Sequence, residues 1–201
     1  MNESKEIILK TGLMLFLQKS FKEVTMREIV EKTGLSKGAF YHYFQSKEQL
    51  FLEILNNFFE VIINYDFEKL NNRSLFHFYK DHCNKLNTIR FQFIEDNENS
   101  CDNFLNLNFF SLLFDAFKLF PEFRTKMEHY HQKELNSWMN MIGKSRKSGE
   151  IRSPLSDLQI AQIFIFTSDG LAMNLTMGGN TKNIQTDLES IWDNFYQTIK
   201  I

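Results

Sequence analysis

Three helix-start signals crowd into residues 25–49, and they dictate how this part of the chain folds. Thr25 with Glu28 makes a capping box, whose two side chains can satisfy amides that the first helical turn leaves orphaned. Val24 and Ile29 stand at the hydrophobic-staple positions of the same start. Gly34 predicts the end of that helix after barely two turns, as a residue free to adopt positive φ. Ser36 caps the next helix, with Leu35 and Phe40 as a second staple pair. Ser46 and Gln49 form another box, so the middle helix stops near Tyr43 and a longer one begins. Two short helices with a glycine between them are the helix-turn-helix pattern.

The remainder reads as all-α. With only 2 Pro and 8 Gly in 201 residues, the chain lacks the turn-formers of a many-stranded sandwich or barrel. A first helix is predicted over Glu3–Lys19, with Ile8, Gly12, Leu15 and Phe16 on one face. The long helix from Lys47 to near Tyr65 carries Leu50, Phe51, Ile54, Leu55, Phe58, Phe59 and Ile62 on one stripe. Polar breaks at Asn71–Ser74 and Asp96–Asn103 delimit a helix whose face is Leu75, Tyr79, Cys83, Leu86 and Phe93. Helices over Phe104–Phe120, Pro121–Lys147, Asp157–Met177 (capped by Ser156) and Ile184–Thr198 complete the reading. This makes about nine helices, divided into a small three-helix domain over 1–46 and a larger helical domain over 47–201.

Net charge is −2, but residues 1–50 hold 8 Lys and Arg against 6 Asp and Glu. A polyanion would dock there sooner than elsewhere. Cys83 and Cys101 are too few for a disulfide framework. The first residues lack the basic and small-residue features of a signal peptide, and Leu13–Leu17 is too short to span a bilayer. Phe109–Phe120 is broken by Ser111, Asp115 and Lys118 and reads as a buried helix. We therefore expect a cytoplasmic protein with no membrane partner. No Ser-His-Asp order, Gly-rich phosphate loop or supported carboxylate pair is present, so neither an enzyme nor a cofactor is expected. His77, His82 and Cys83 are wrongly spaced for one metal ion, and His129 and His131 face apart, so no metal site is expected.

The chemistry concentrates in the second short helix. Phe40, Tyr43 and Phe44 recur at helical spacing and would turn inward. Lys37, Gly38, Tyr41 and His42 occupy the opposite face. Glycine inside a helix costs about 1 kcal/mol against alanine, so an outward Gly38 predicts that something approaches closely. A DNA backbone, or a base edge in the major groove, meets that description. The helix starts at Thr25 and Lys47 offer amides and positive dipole ends to phosphate oxygens.

Thr25-Met26-Arg27-Glu28-Ile29, then Gly34-Leu35-Ser36-Lys37-Gly38-Ala39-Phe40-Tyr41-His42-Tyr43-Phe44, then Ser46-Lys47-Glu48-Gln49-Leu50 closely resemble the amino-terminal signature of TetR-family transcriptional regulators. The likeness spans about residues 5–55. The rest fits that family in length, helix order and the Gly149-Glu150-Ile151 break, without a diagnostic motif. The resemblance implies a helix-turn-helix DNA-binding domain and a helical ligand-binding and dimerisation domain. It further implies a homodimer on a palindromic double-stranded DNA operator, usually a repressor, released by a small molecule. Carried over by position, Thr25, Arg27, Ser36, Tyr41, His42 and Lys47 look like phosphate contacts, and Lys37, Gly38 and Ala39 like groove readers. Ser20 stands where the family commonly has a turn glycine, and Val30 where a small alanine is usual.

Phe104, Phe109, Phe110, Phe114, Phe117 and Phe120 are too many for one buried stripe. They either fill a tight core or border an apolar pocket, with Tyr79, Phe110, Phe114, Trp138, Met141, Phe164 and Ser168 as lining residues. The expected effector is small, apolar or aromatic, and of modest charge. Ala161, Phe164, Ser168 and Ala172, then Leu188, Ile191, Trp192, Phe195 and Ile199, form apolar faces on the last two helices. These faces bury against a twin chain or complete the chain's own core. A helical small-molecule carrier and a macromolecule-binding interaction protein are the competing classes. Neither has a use for the Lys37, Gly38, Tyr41 and His42 face.

Overall fold

The computed structural model describes residues 3–95 and 107–201. Its helices are α1 (Glu3–Gln18), α2 (Met26–Thr33), α3 (Lys37–Tyr43), α4 (Lys47–Ile63), α5 (Leu75–Glu95), α6 (Leu107–Leu119), α7 (Pro121–Lys147), α8 (Asp157–Met177) and α9 (Ile184–Ile199). A single turn of 3₁₀ helix, Phe67–Lys69, precedes α5. Among the described residues the only extended pairing is one antiparallel bridge between Ile151 and Lys200. The architecture is all-α, as the scarcity of turn-formers predicts. Phe104, Cys101 and the Asp96–Asn103 break lie outside the described residues. No helix among the described residues is long and apolar enough to cross a membrane.

The caps predicted at Thr25, Ser36 and Ser46 work as hydrogen-bond acceptors. Thr25 Oγ1 accepts from Glu28 N at 3.1 Å, Ser36 Oγ from Ala39 N at 3.2 Å, and Ser46 Oγ from Gln49 N at 3.1 Å. The return bonds of the two predicted boxes differ from expectation. Glu28 turns to Lys19 Nζ at 2.6 Å, and Gln49 Oε1 accepts from Gln45 N at 2.9 Å. Gln49 finds its donor one residue before its box, and Glu28 finds a cation six residues before its own. Gly34 ends α2 at φ 67°, a conformation that would strain any residue with a Cβ. Ser20 replaces a turn glycine without positive φ, because its amide and hydroxyl both donate to Glu23 Oε2, at 2.9 and 2.7 Å.

The chain packs as two units. The first joins Met1–Asn64 with Leu107–Met127, so α1–α4 share a core with α6 and the start of α7. Phe16, Phe21 and Phe51 form its aromatic centre, with Phe16–Phe51 centroids 4.7 Å apart and Phe21–Phe51 4.8 Å. α1 crosses α4 at Gly12, where an added Cβ would stand 2.7 Å from Ile54 Cδ1. Phe120 reaches Phe51 at 6.0 Å, Phe109 lies 6.0 Å from Phe59, and Phe21 N donates to Asp115 Oδ2 at 3.2 Å. The Phe-rich helix is therefore largely core of this unit. Packing does not follow the boundary expected at 46/47: it gathers α4 and α6 with the amino-terminal helices.

The second unit joins Tyr65–Asn106 with Glu128–Ile201. Here α5, the later turns of α7, α8 and α9 enclose Tyr79, Trp138, Phe164 and Trp192. Trp138 stacks on Phe164 at 4.6 Å, and the Trp192 indole N–H donates to the Phe164 carbonyl at 3.2 Å. Glu150 ties three elements together. Its carboxylate accepts from Leu75 N at 2.9 Å, Phe76 N at 3.1 Å and the Tyr196 hydroxyl at 3.0 Å. Two orphan amides at the start of α5 are thereby satisfied from a turn far away in sequence.

Candidate nucleic-acid interface

The face of α3 divides as helical spacing requires. Phe40 and Phe44 are completely buried, Tyr43, expected inward with them, is only half-buried, Lys37, Gly38 and His42 are exposed, and Tyr41 and Ala39 are half-buried. No atom of the protein lies within 4 Å of where a Cβ on Gly38 would stand. The fold therefore gives no internal reason for a glycine there. The Tyr41 ring rests edge-on against Phe40 at 5.5 Å, and His42 against Tyr43 at 5.2 Å, which fixes the direction of both polar tips. Lys37 has no ion-pair partner among the described residues. Thr25 and Ser36 spend an oxygen lone pair on their caps and keep their hydroxyl protons for another acceptor.

The two remaining cations differ in setting. Arg27 is fully exposed and pairs with Glu31 at 2.8 Å, an i, i+4 surface contact that a phosphate can displace. Lys47 is half-buried, and its ammonium donates to the carbonyls of Phe21 and Val24, each at 2.7 Å, while lying 4.4 Å from the Phe21 ring centre. It holds the α1–α2 turn against the start of α4, with one N–H left over.

The pocket residues named from sequence fall into two groups. Tyr79, Trp138, Met141 and Phe164 are buried together in the second unit, with Ser168 half-buried one turn beyond Phe164. Phe110 and Phe114 belong to α6 in the other unit, and Phe114 is 49% exposed. Tyr79 directs its hydroxyl to Asp193 at 2.7 Å, and that carboxylate also meets Lys80 at 2.8 Å. Sequence reading missed a polar group beside these rings. His82 from α5 and His131 from α7, treated separately by their spacing, both approach the buried carboxylate of Glu134, at 3.6 and 3.8 Å. The Tyr65 hydroxyl meets His82 Nδ1 at 3.0 Å. Burial alone would raise the Glu134 pKa, but the two imidazoles outweigh it and hold the carboxyl below its usual value. Burial pushes the Cys83 thiol up to about 12, which keeps it protonated.

Of the expected interface residues, Ala161, Phe164, Leu188, Trp192 and Ile199 are buried by their own chain. Ile191 is exposed, and Ala172 and Phe195 are half-buried. A different stripe of α8 is left open: Leu158, Phe166, Met173 and Met177 are all exposed, Phe166 at 63%.

Residues 8–54 match the family described as bacterial regulatory proteins, tetR family. The HTH-type transcriptional regulator YerO of Bacillus subtilis (strain 168) is 45% identical over 64 residues, 32% of this chain and 22% of that protein. The chain thus matches about a fifth of that relative's length. The solved structure of Escherichia coli NemR in its reduced form is 18% identical, with a TM-score of 0.59 over 94% of this chain and 96% of that one. A transcriptional regulator from Saccharomonospora viridis, solved in complex with choline, is 16% identical and aligns over the whole of both chains at a TM-score of 0.66. These structures share the fold, and the sequence match is confined to the amino-terminal helices. Residues 8–54 thus carry the amino-terminal helices of the tetR family of bacterial regulatory proteins, and the rest of the chain shares that family's fold.

Proposed function

We propose that the protein is a DNA-binding transcriptional regulator that works as a homodimer on a palindromic operator and is released by a small effector, most simply as a repressor. The observation that carries this reading is the outward face of α3: a free lysine, an unobstructed glycine, a tyrosine and a histidine on a helix whose other side is core. In this reading Lys37, Gly38 and Ala39 approach base edges, while Thr25, Arg27, Ser36, Tyr41, His42 and Lys47 take phosphates. One short helix reads too few bases to be specific alone. A dimer presenting two, about 34–36 Å apart, spans successive major grooves. The exposed apolar stripe of α8, with Ile191 of α9, supplies a surface that a twin chain would cover.

Residues 1–46 then carry DNA recognition, and 47–201 carry effector binding and dimerisation. The expected effector is largely apolar or aromatic. The choline complex of the Saccharomonospora viridis regulator supports a small organic ligand in this fold. The test is a gel-shift titration on the DNA upstream of the protein's own gene, repeated across salt. Binding that saturates, prefers that DNA to a scrambled duplex and weakens steeply with salt supports the reading. Equal binding to every duplex refutes it.

A further inference from the structure

The polar group around Glu134 has the wrong composition for a purely structural core. Glu134 is 8% exposed, yet its ion-pair contacts are two imidazoles at 3.6 and 3.8 Å, beyond ordinary hydrogen-bond length. A buried carboxylate is normally paired by a strong donor. Among the described residues no lysine or arginine pairs with it. Its surroundings are aromatic. Trp138 is one helical turn further along α7, and the His82 ring stands edge-on to it at 5.6 Å and stacked near Trp192 at 6.0 Å. Trp138 is 1% exposed and its indole N–H has no partner, whereas that of Trp192 has one. The cluster also opens outward, since His131 and Asp169 are exposed and Tyr65 is half-buried.

We infer that Glu134 and the rings beside it, Tyr65, His82, Trp138 and Trp192, form the charged end of the effector site and select an organic cation, an ammonium group on an apolar or aromatic frame. This deepens the effector reading above and rests on it. The carboxylate supplies the counter-charge, the ring faces supply cation–π attraction, and the Trp138 N–H supplies a donor for a ligand oxygen. A neutral apolar effector would use none of these. At the edge, burial and the nearby Glu134 charge push Asp169 up to about 6, so it adds negative charge to the site only as the pH rises past that value. The groups facing Glu134 are His82 from α5, Tyr130 and His131 from α7, Tyr65 from the segment before α5, and Asp169 from α8. His131 titrates above its usual value because Glu134 holds its proton. Protonating His131 offsets the Glu134 charge and competes with a ligand cation. Raising the pH therefore strengthens cation binding.

The probes are (4-hydroxyphenyl)trimethylammonium and 4-tert-butylphenol, which share a shape and differ in charge. Each is titrated into the full-length protein by tryptophan fluorescence and calorimetry. The unsubstituted protein should bind the cation more tightly as pH rises from about 5.5 to 7.5, while binding of the neutral probe stays flat. Glu134→Gln should weaken the cation by about tenfold or more and leave the neutral probe unchanged or tighter. Equal affinity of the two probes for the unsubstituted protein, no binding of the cation, or a pH-independent cation affinity would overturn the inference. If Glu134→Gln fails to fold by circular dichroism, the pH series on the unsubstituted protein decides alone. Operator binding measured in parallel separates the two failures. DNA binding without cation selectivity sinks only this inference, and cation selectivity without DNA binding sinks only the regulator reading.

Discussion

The Lys47 ammonium has three N–H donors, and two are spent on the carbonyls that end the α1–α2 turn. Arg27 spends its own on an exposed glutamate that buys no stability. The two residues should therefore separate on substitution. Lys47→Met removes two charge-assisted bonds and should lower unfolding stability by about 1–3 kcal/mol in urea titrations, in addition to weakening DNA binding. Arg27→Ala should leave unfolding unchanged and reduce the salt slope of DNA binding by about one. At Gly38 the signs should oppose. Gly38→Ala should stabilise the domain by up to about 1 kcal/mol in thermal melts, while weakening operator binding, because the new methyl stands where DNA must approach. A variant that loses stability and keeps its DNA affinity would show that the glycine serves the fold. The caps at Thr25, Ser36 and Ser46 were legible because each acts within three residues. The Lys47 latch was not, since its acceptors lie 26 and 23 residues away and no local spacing marks them.

At the scale of elements, α7 and α8 agree with their sequence bounds, because Pro121, Ser156 and the paired glycines after Met177 punctuate them. Which side of α8 faces inward was not legible. The helix is apolar nearly all round, so Ile160, Ala161, Phe164 and Ile165 can be buried while Leu158, Phe166, Met173 and Met177 remain outside. Phe166→Asp tests the outer stripe. It should leave helicity and melting intact, since the side chain touches little of its own chain, and convert a dimer to a monomer in sedimentation. A dimer that persists would place the twin contact elsewhere. Glu150 stabilises the start of α5 from 75 residues away. Its replacement by alanine should cost about 0.5–2 kcal/mol, as loss of a helix cap does. Burial raises its pKa, but the nearby Ser145 hydroxyl, the amides of Leu75 and Phe76 and the Tyr196 hydroxyl outweigh it and hold the carboxyl below the usual range. The stabilisation is thus complete at neutral pH and fades as pH falls through the carboxylate range. The stability gap between the parent and Glu150→Ala should accordingly narrow below about pH 4.5.

For the whole molecule, the proposed response to effector requires that the effector favour the conformation that releases DNA. We propose that α4 takes part in it within the first unit. Its first residue latches the α1–α2 turn, and its later turns pack Phe58 and Phe59 against Phe109. A shift of α4 would change the separation of the two recognition helices in a dimer. Effector binding should then lower operator affinity by about 1–3 kcal/mol. The central claim, that the outer face of α3 reads DNA, is tested most directly by selecting bound duplexes from a random DNA pool with the unsubstituted protein and with Lys37→Ala. The account predicts a two-fold symmetric consensus for the first, and for the second a changed preference at defined base pairs of each half-site. No enrichment, or one consensus shared by both proteins, would contradict it.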